Sequence, residues 1–221
     1  MSDDKSHITR RTLLRGATLV GATAVAAPAS LVTPFDLAAA AESPQTFANL
    51  TVAEGELLQA VVERLIPSDA SGPGAKEARV ANYIDRALGD ALTSSRAAYV
   101  SGLVALDRYA NASRGKPFLQ LSPSDQDSVL IDCETGGATG FSGSSAQFFA
   151  MLLNHTRQGM FGDPYYGGNA NFVGWELIGY PGVRTAVTVI DQKALEANQL
   201  KPVRNSAYDF GGFTKEMHHG D

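Results

Sequence analysis

The stretch from Gly159 to Gly182, GMFGDPYYGGNANFVGWELIGYPG, limits the folds open to this chain more than any other. It holds seven glycines and six aromatic residues in 24 positions, among them the only tryptophan, Trp175. Neither a helical nor a strand period runs through it, and Asp163-Pro164 and Tyr180-Pro181-Gly182 read as turns at its ends. A long irregular segment inside a domain is either functional or disordered, and disordered segments are poor in aromatics. The block is therefore expected to be ordered. Two functional readings compete. A glycine-rich phosphate cradle would use backbone N–H groups, yet the block has no Lys or Arg and neither nucleotide-binding glycine pattern. A protein-binding surface fits better, because Tyr and Trp join large apolar area to a polar tip. Filling of the chain's own core is an equally good use of the same residues. Trp175 is read as inward. Tyr165 and Tyr166, just after the Asp163-Pro164 turn, are read as outward.

The rest of the chain reads as helical. Thr51-Val52-Ala53-Glu54 is a capping box, and Leu57, Leu58, Val61, Val62 and Leu65 share the face that follows, up to Pro67. A turn-rich loop, Ser68 to Ala75, leads to a second helix with Val80, Tyr83, Ile84, Ala87 and Leu88 on one stripe and Gly89 at its end. Asp85 lies near that stripe and reads either as a functional carboxylate or, more commonly for one acid on a helix, as solvated or ion-paired. A third helix spans about Ser94 to Ala110, followed by a loop from Asn111 to Gln120. Ser122-Pro123-Ser124-Asp125 starts a fourth, carrying Val129, Leu130 and Cys133. A fifth runs from about Ser145 to Gln158 and delivers the chain into the block. Beyond Gly182 the pattern weakens: Val183 to Ile190 suits a short strand or helix, and Lys193 to Asn198 a turn or two of helix. The expected fold is all-α, a small bundle of about five helices with a long glycine–aromatic loop and an extended C-terminal arm.

At the N-terminus, Arg10 and Arg11 precede a mildly apolar run from Gly16 to Ala27, the pattern of a twin-arginine export signal. Pro28, Pro34 and several polar residues leave the apolar part too short for a membrane span. Ala39-Ala40-Ala41 offers a small-residue cleavage site, with Ala27-Pro28-Ala29 as a weaker one. The expected organisation is a signal over 1–41 and one helical domain over 42–221, placed in the periplasm through the twin-arginine translocase. That route carries folded proteins, so it suits a cofactor-loaded protein or a subunit exported with a loaded partner.

The chain's net charge is −5. Removing the four basic and three acidic residues of 1–41 leaves 14 basic against 20 acidic residues. No basic cluster for nucleic acid is present. Cys133 is the only cysteine, so it is either buried or bridged to another chain, an intersubunit thiol. Common catalytic motifs (HExxH, CxxC, GxSxG) are absent. His155, beside the block, and Asp163, within it, are the best pair for a metal site or a general base, without the second ligand that spacing would ordinarily supply. His218 and His219 sit at the far end.

DPYYGGNANFVGWELIGYPG resembles the signature of the gluconate 2-dehydrogenase subunit 3 family. Ile66-Pro67, Gly72-Pro73-Gly74-Ala75 and Tyr83-Ile84-Asp85 resemble its N-terminal motif. The likeness covers most of the chain after about residue 50. It implies a small, cofactor-free subunit of a periplasmic flavin-dependent sugar or sugar-acid dehydrogenase. The partner would be a large FAD-dependent subunit of the glucose-methanol-choline type, passing electrons to a membrane-bound cytochrome c subunit. FAD and the catalytic residues would lie in the partner, leaving this chain no catalytic, cofactor or metal residues. Its role would be to support the folding and export of the large subunit. The candidate interface is then Phe161, Tyr165, Tyr166, Asn169, Trp175 and Tyr180. The alternative is a stand-alone periplasmic enzyme or metal-binding protein built on His155 and Asp163.

Overall fold

The computed structural model describes residues 46–212. The twin-arginine segment with Arg10 and Arg11, its cleavage site, and Phe213, His218 and His219 lie outside the described residues. Among those described there are seven α-helices and no strand. They are α1 (Val52–Leu65), α2 (Val80–Leu88), α3 (Arg96–Arg114), α4 (Pro123–Glu134), α5 (Ser145–Phe161), α6 (Val173–Leu177) and α7 (Val189–Glu196).

The first five form the all-α bundle that the periodicity predicts. Thr51 accepts from the Glu54 N–H while Glu54 reaches back to the Thr51 N–H, so both free ends of the first turn are satisfied. At the start of α4 the Ser122 hydroxyl accepts from the Asp125 N–H, with Pro123 at the first helical position. Helix α5 is central and packs against α4, α2, α1 and α3. Between the helices lie Leu58, Val61, Val62, Ile84, Leu88, Leu103, Leu106, Val129 and Leu152, all fully buried. Each such side chain contributes about 1.5–3 kcal/mol relative to exposure.

Several boundaries differ from the sequence expectation. Helix α3 continues to Arg114, through residues expected to be loop, and ends where Gly115 turns left-handed at φ 76°. Helix α5 runs on to Phe161, so the first three residues of the glycine–aromatic block are helical. Val183 to Ile190 makes no strand; the helix here is Val189–Glu196, capped by Thr188 and Asp191. Local propensity is weak at all three places, and the cap decides.

Asp85 is neither solvated nor ion-paired. It is 2% exposed, and its carboxylate accepts from the N–H groups of Ala48, Asn49 and Leu50 at 2.7–2.9 Å. The Asn49 side chain donates in turn to the Asp85 carbonyl at 2.8 Å. One acid on α2 thus fastens the chain entering α1. This is a structural use of the carboxylate, invisible to spacing because the donors lie more than 30 residues away.

Candidate functional site

The last turn of a helix leaves its carbonyls without partners. At the end of α5 the glycine–aromatic block supplies them. The Gly162 N–H donates to Gln158 O at 2.8 Å, and the Asn169 N–H to Gly159 O at 2.7 Å. The Trp175 indole N–H donates to Phe161 O at 2.8 Å. The block is therefore an extended cap on the central helix, and its composition follows from that task. Gly168 and Gly174 lie against the helix end so closely that an added Cβ would stand 2.2 Å from Gly159 O and 1.8 Å from Met160 O. Only glycine permits that approach.

Asn169 is the hub. It is fully buried with φ 44°, a left-handed conformation that asparagine tolerates better than most residues. Its Oδ1 accepts from the Gly174 N–H at 2.8 Å and the Trp175 N–H at 3.3 Å, and its Nδ2 donates to Gly162 O at 2.9 Å. These bonds start α6, a helix that sequence periodicity does not predict. They also set Trp175, 7% exposed, between Phe172 and Tyr180, with ring centroids 5.5 and 4.7 Å away.

The six candidate interface residues therefore divide. Asn169 and Trp175 are interior and shape the surface without presenting themselves on it. Phe161 is half-buried against the core. Tyr165, Tyr166 and Tyr180 reach solvent, at 49%, 47% and 37% exposure.

Asp163 clasps the C-terminal arm. Its carboxylate accepts from the Ser206 hydroxyl at 2.6 Å, the Ala207 N–H at 2.8 Å and the Tyr165 N–H at 2.9 Å. Tyr208, brought in by this clasp, stacks on Tyr165 at 3.8 Å and hydrogen-bonds the Tyr166 hydroxyl. That bond is the main cause of a Tyr166 pKa pushed up to about 12. The arm thus folds back onto the block and completes a three-tyrosine surface. Neither Ser206 nor Tyr208 is a candidate by spacing, since the contact closes over about 40 residues.

His155 and Asp163 do not form a joint site. His155 is buried, bonds the Tyr99 hydroxyl through Nδ1 at 3.0 Å and stacks on that ring. Burial holds its pKa below the ordinary histidine value. Asp163 is committed to the arm. No group of three or more His, Cys, Asp or Glu side chains able to hold a metal occurs among the described residues.

Cys133 is fully buried beside Val129 and Leu130, so the exposed thiol that an intersubunit bridge requires is missing from the surface. Burial pushes its pKa up to about 12. At pH 8 the native thiol is expected to react with iodoacetamide roughly a thousandfold more slowly than in the urea-unfolded chain, in proportion to its thiolate. Mass spectrometry of timed aliquots measures both rates, and equal rates would contradict the buried placement.

The surface feature that sequence reasoning overlooks begins at the end of the block and continues past it. Leu177, Ile178, Val187, Val189, Ile190 and Leu195 are all exposed, Val187 at 71% and Ile190 at 80%. Helix α7 buries none of its eight residues. The segment is nonetheless held in shape at its base: the Val203 N–H donates to Pro181 O at 3.0 Å. Arg184 pairs with Asp191 at 3.2 Å and donates to Lys201 O at 2.7 Å. The run of β-branched residues from Val183 was the available signal.

No curated protein and no solved structure matches the chain. A family profile described as gluconate 2-dehydrogenase subunit 3 matches residues 52–182, from the first residue of α1 to the last of the glycine–aromatic block. That match spans more than half of the sequence and both segments that carried the resemblance, and the chain belongs to the gluconate 2-dehydrogenase subunit 3 family.

Proposed function

We propose that this chain is the non-catalytic small subunit of a periplasmic FAD-dependent dehydrogenase of the glucose-methanol-choline type. Its large partner oxidises a sugar, sugar alcohol or aldonate and passes electrons to a membrane-bound cytochrome c subunit. The small subunit supports the folding of the flavoprotein and carries it out of the cytoplasm on its own twin-arginine signal. FAD and the reacting groups belong to the large subunit. The family description is that of a subunit, which implies partner chains.

The observation that carries the docking role is the exposed aliphatic run from Leu177 to Leu195. Isolated helices shorter than about 12 residues are marginal in water, and α7 has eight residues and no buried face. Large apolar side chains left exposed together along one short segment are the mark of an interaction site. The three-tyrosine surface on the block adds the aromatic residues favoured at interface hot spots.

Co-expression with the large flavoprotein, followed by affinity purification of the small subunit from periplasm, is expected to yield a yellow complex with a flavin absorbance spectrum. A colourless, unaccompanied small subunit would overturn the reading. Within the complex, Val187→Lys with Ile190→Lys is expected to weaken binding of the large subunit by at least about tenfold, the loss of one or two hot-spot contacts. The melting temperature of the isolated chain should stay put, since both side chains are exposed. Calorimetry and titration of the pair measure the two quantities.

A further inference from the structure

A second face of the bundle carries a different chemistry. Along α3, Ala97, Val100, Val104 and Ala105 floor an open groove of about 770 Å³, walled on the far side by the loop at Gly140 and Ser142. Its charged lining residues are Arg96 and Arg108, and no acid lines it. The two arginines stand twelve residues apart on one helix, about 18 Å at ~1.5 Å per residue. Val104, eight residues from Arg96 and four from Arg108, is 48% exposed.

Five of the nine described arginines, Arg79, Arg86, Arg96, Arg108 and Arg157, have no carboxylate partner among the described residues, and Arg96 and Arg108 are the two that line this groove. Arg64 pairs with Asp127 at 2.7 Å, Arg114 with Asp132 at 3.0 Å, Arg184 with Asp191 at 3.2 Å, and Arg204 with Glu176. Acids outnumber bases in the chain, 23 to 18. Yet among the described residues no carboxylate pairs with Arg96 or Arg108. Arg96 donates only to the Asn49 carbonyl, at 2.8 Å. Both ends of this apolar groove are thus cationic, with no acid in its lining. Countercharge from another molecule completes such an arrangement.

We infer that this groove receives an acidic amphipathic segment of the large subunit, aliphatic in its middle and with a carboxylate at each end for Arg96 and Arg108. The inference rests on the subunit reading above. It adds a charged contact on α3, outside the glycine–aromatic block, to the apolar one at α7. Such charged contacts set association rate and orientation more than area does. The guanidinium fork suits carboxylates, which it binds through two parallel hydrogen bonds.

The test is titration of the purified large flavoprotein subunit with the small subunit at about 50 mM and 500 mM salt. For the native chain, affinity is expected to fall several-fold with added salt. Arg108→Glu is expected to weaken low-salt binding about tenfold, and Arg96→Glu with Arg108→Glu about a hundredfold, with the salt dependence abolished or reversed. Val104→Lys is a second probe that removes no hydrogen bond, and it should also weaken binding about tenfold. Circular dichroism melts of each variant should match the native chain. Native affinity and native salt dependence in the double variant would overturn the groove assignment and leave the subunit reading standing. No binding by the native chain would overturn both. Loss of affinity only in variants that also melt early would overturn it as well, because the effect would then be one of folding.

Discussion

Trp175→Ala is expected to lower the stability of the isolated helical domain by about 3–5 kcal/mol, the range for truncating a large buried aromatic. For a domain of this size that is a fall in melting temperature of roughly 10 °C. Two losses combine. The ring leaves a cavity between Phe172 and Tyr180. Its indole N–H also leaves Phe161 O, at the end of the central helix, without its donor. Because the block caps α5, the damage should spread to the bundle, and hydrogen exchange should rise along α5 as well as in the block. Tyr166→Ala is the control. Its ring is half exposed, and its partners are Tyr165 and Tyr208 on the surface. It should leave the melt within a degree or two of native while weakening the large subunit's binding. Thermal melts and titration on the same two variants separate an interior from an interface role. An unaltered melt for Trp175→Ala would contradict the capping account.

Arg10→Lys together with Arg11→Lys is expected to hold both this subunit and the dehydrogenase activity of its partner in the cytoplasm. The effect should be close to all-or-none, since the proposed route admits both chains on one signal. Fractionation followed by activity staining gives the result directly. Full periplasmic activity in the double variant would exclude the escort role while leaving the docking role intact. Partner protein in the cytoplasm that carries FAD and is active would place folding before export, as the twin-arginine route requires.

Much of the fold was legible because helical stripes and caps are local. The Thr51 and Ser122 caps and the buried faces of α1 to α5 depend on residues a few positions apart, and the structure places them as the spacing predicts. The resemblance carried by the block and by the Ile66 to Asp85 segment was legible for another reason. Gly168, Gly174, Asn169 and Trp175 answer to backbone geometry that few other residues satisfy, so their pattern is recognisable without the structure. The ends of α3 and α5 were less so: α3 runs on to a turn at its own Gly115, and α5 runs on into the block, whose Asn169 and Trp175 take up its last carbonyls.

The site divides along the same line. By itself the sequence determined an all-α domain, a family, and an ordered glycine–aromatic block holding a single tryptophan. It also singled out Cys133, His155, Asp163 and Asp85 as residues whose chemistry needed explaining. Only the tertiary structure decided what each does. Cys133 and His155 are sealed in the bundle, Asp163 clasps an arm that returns from 43 positions away, and Asp85 fastens a strap 35 to 37 positions upstream. Exposure belonged to the structure as well: a β-branched aliphatic side chain looks alike in α1 and in α7, and the choice between core and surface rests on whether another helix lies across it. At Val61 one does; at Ile190 the side chain is left to solvent. The physical reason is that hydrogen-bond caps and helical faces are written within one or two turns of chain, whereas burial and long-range clasps are sums over neighbours that only folding brings together.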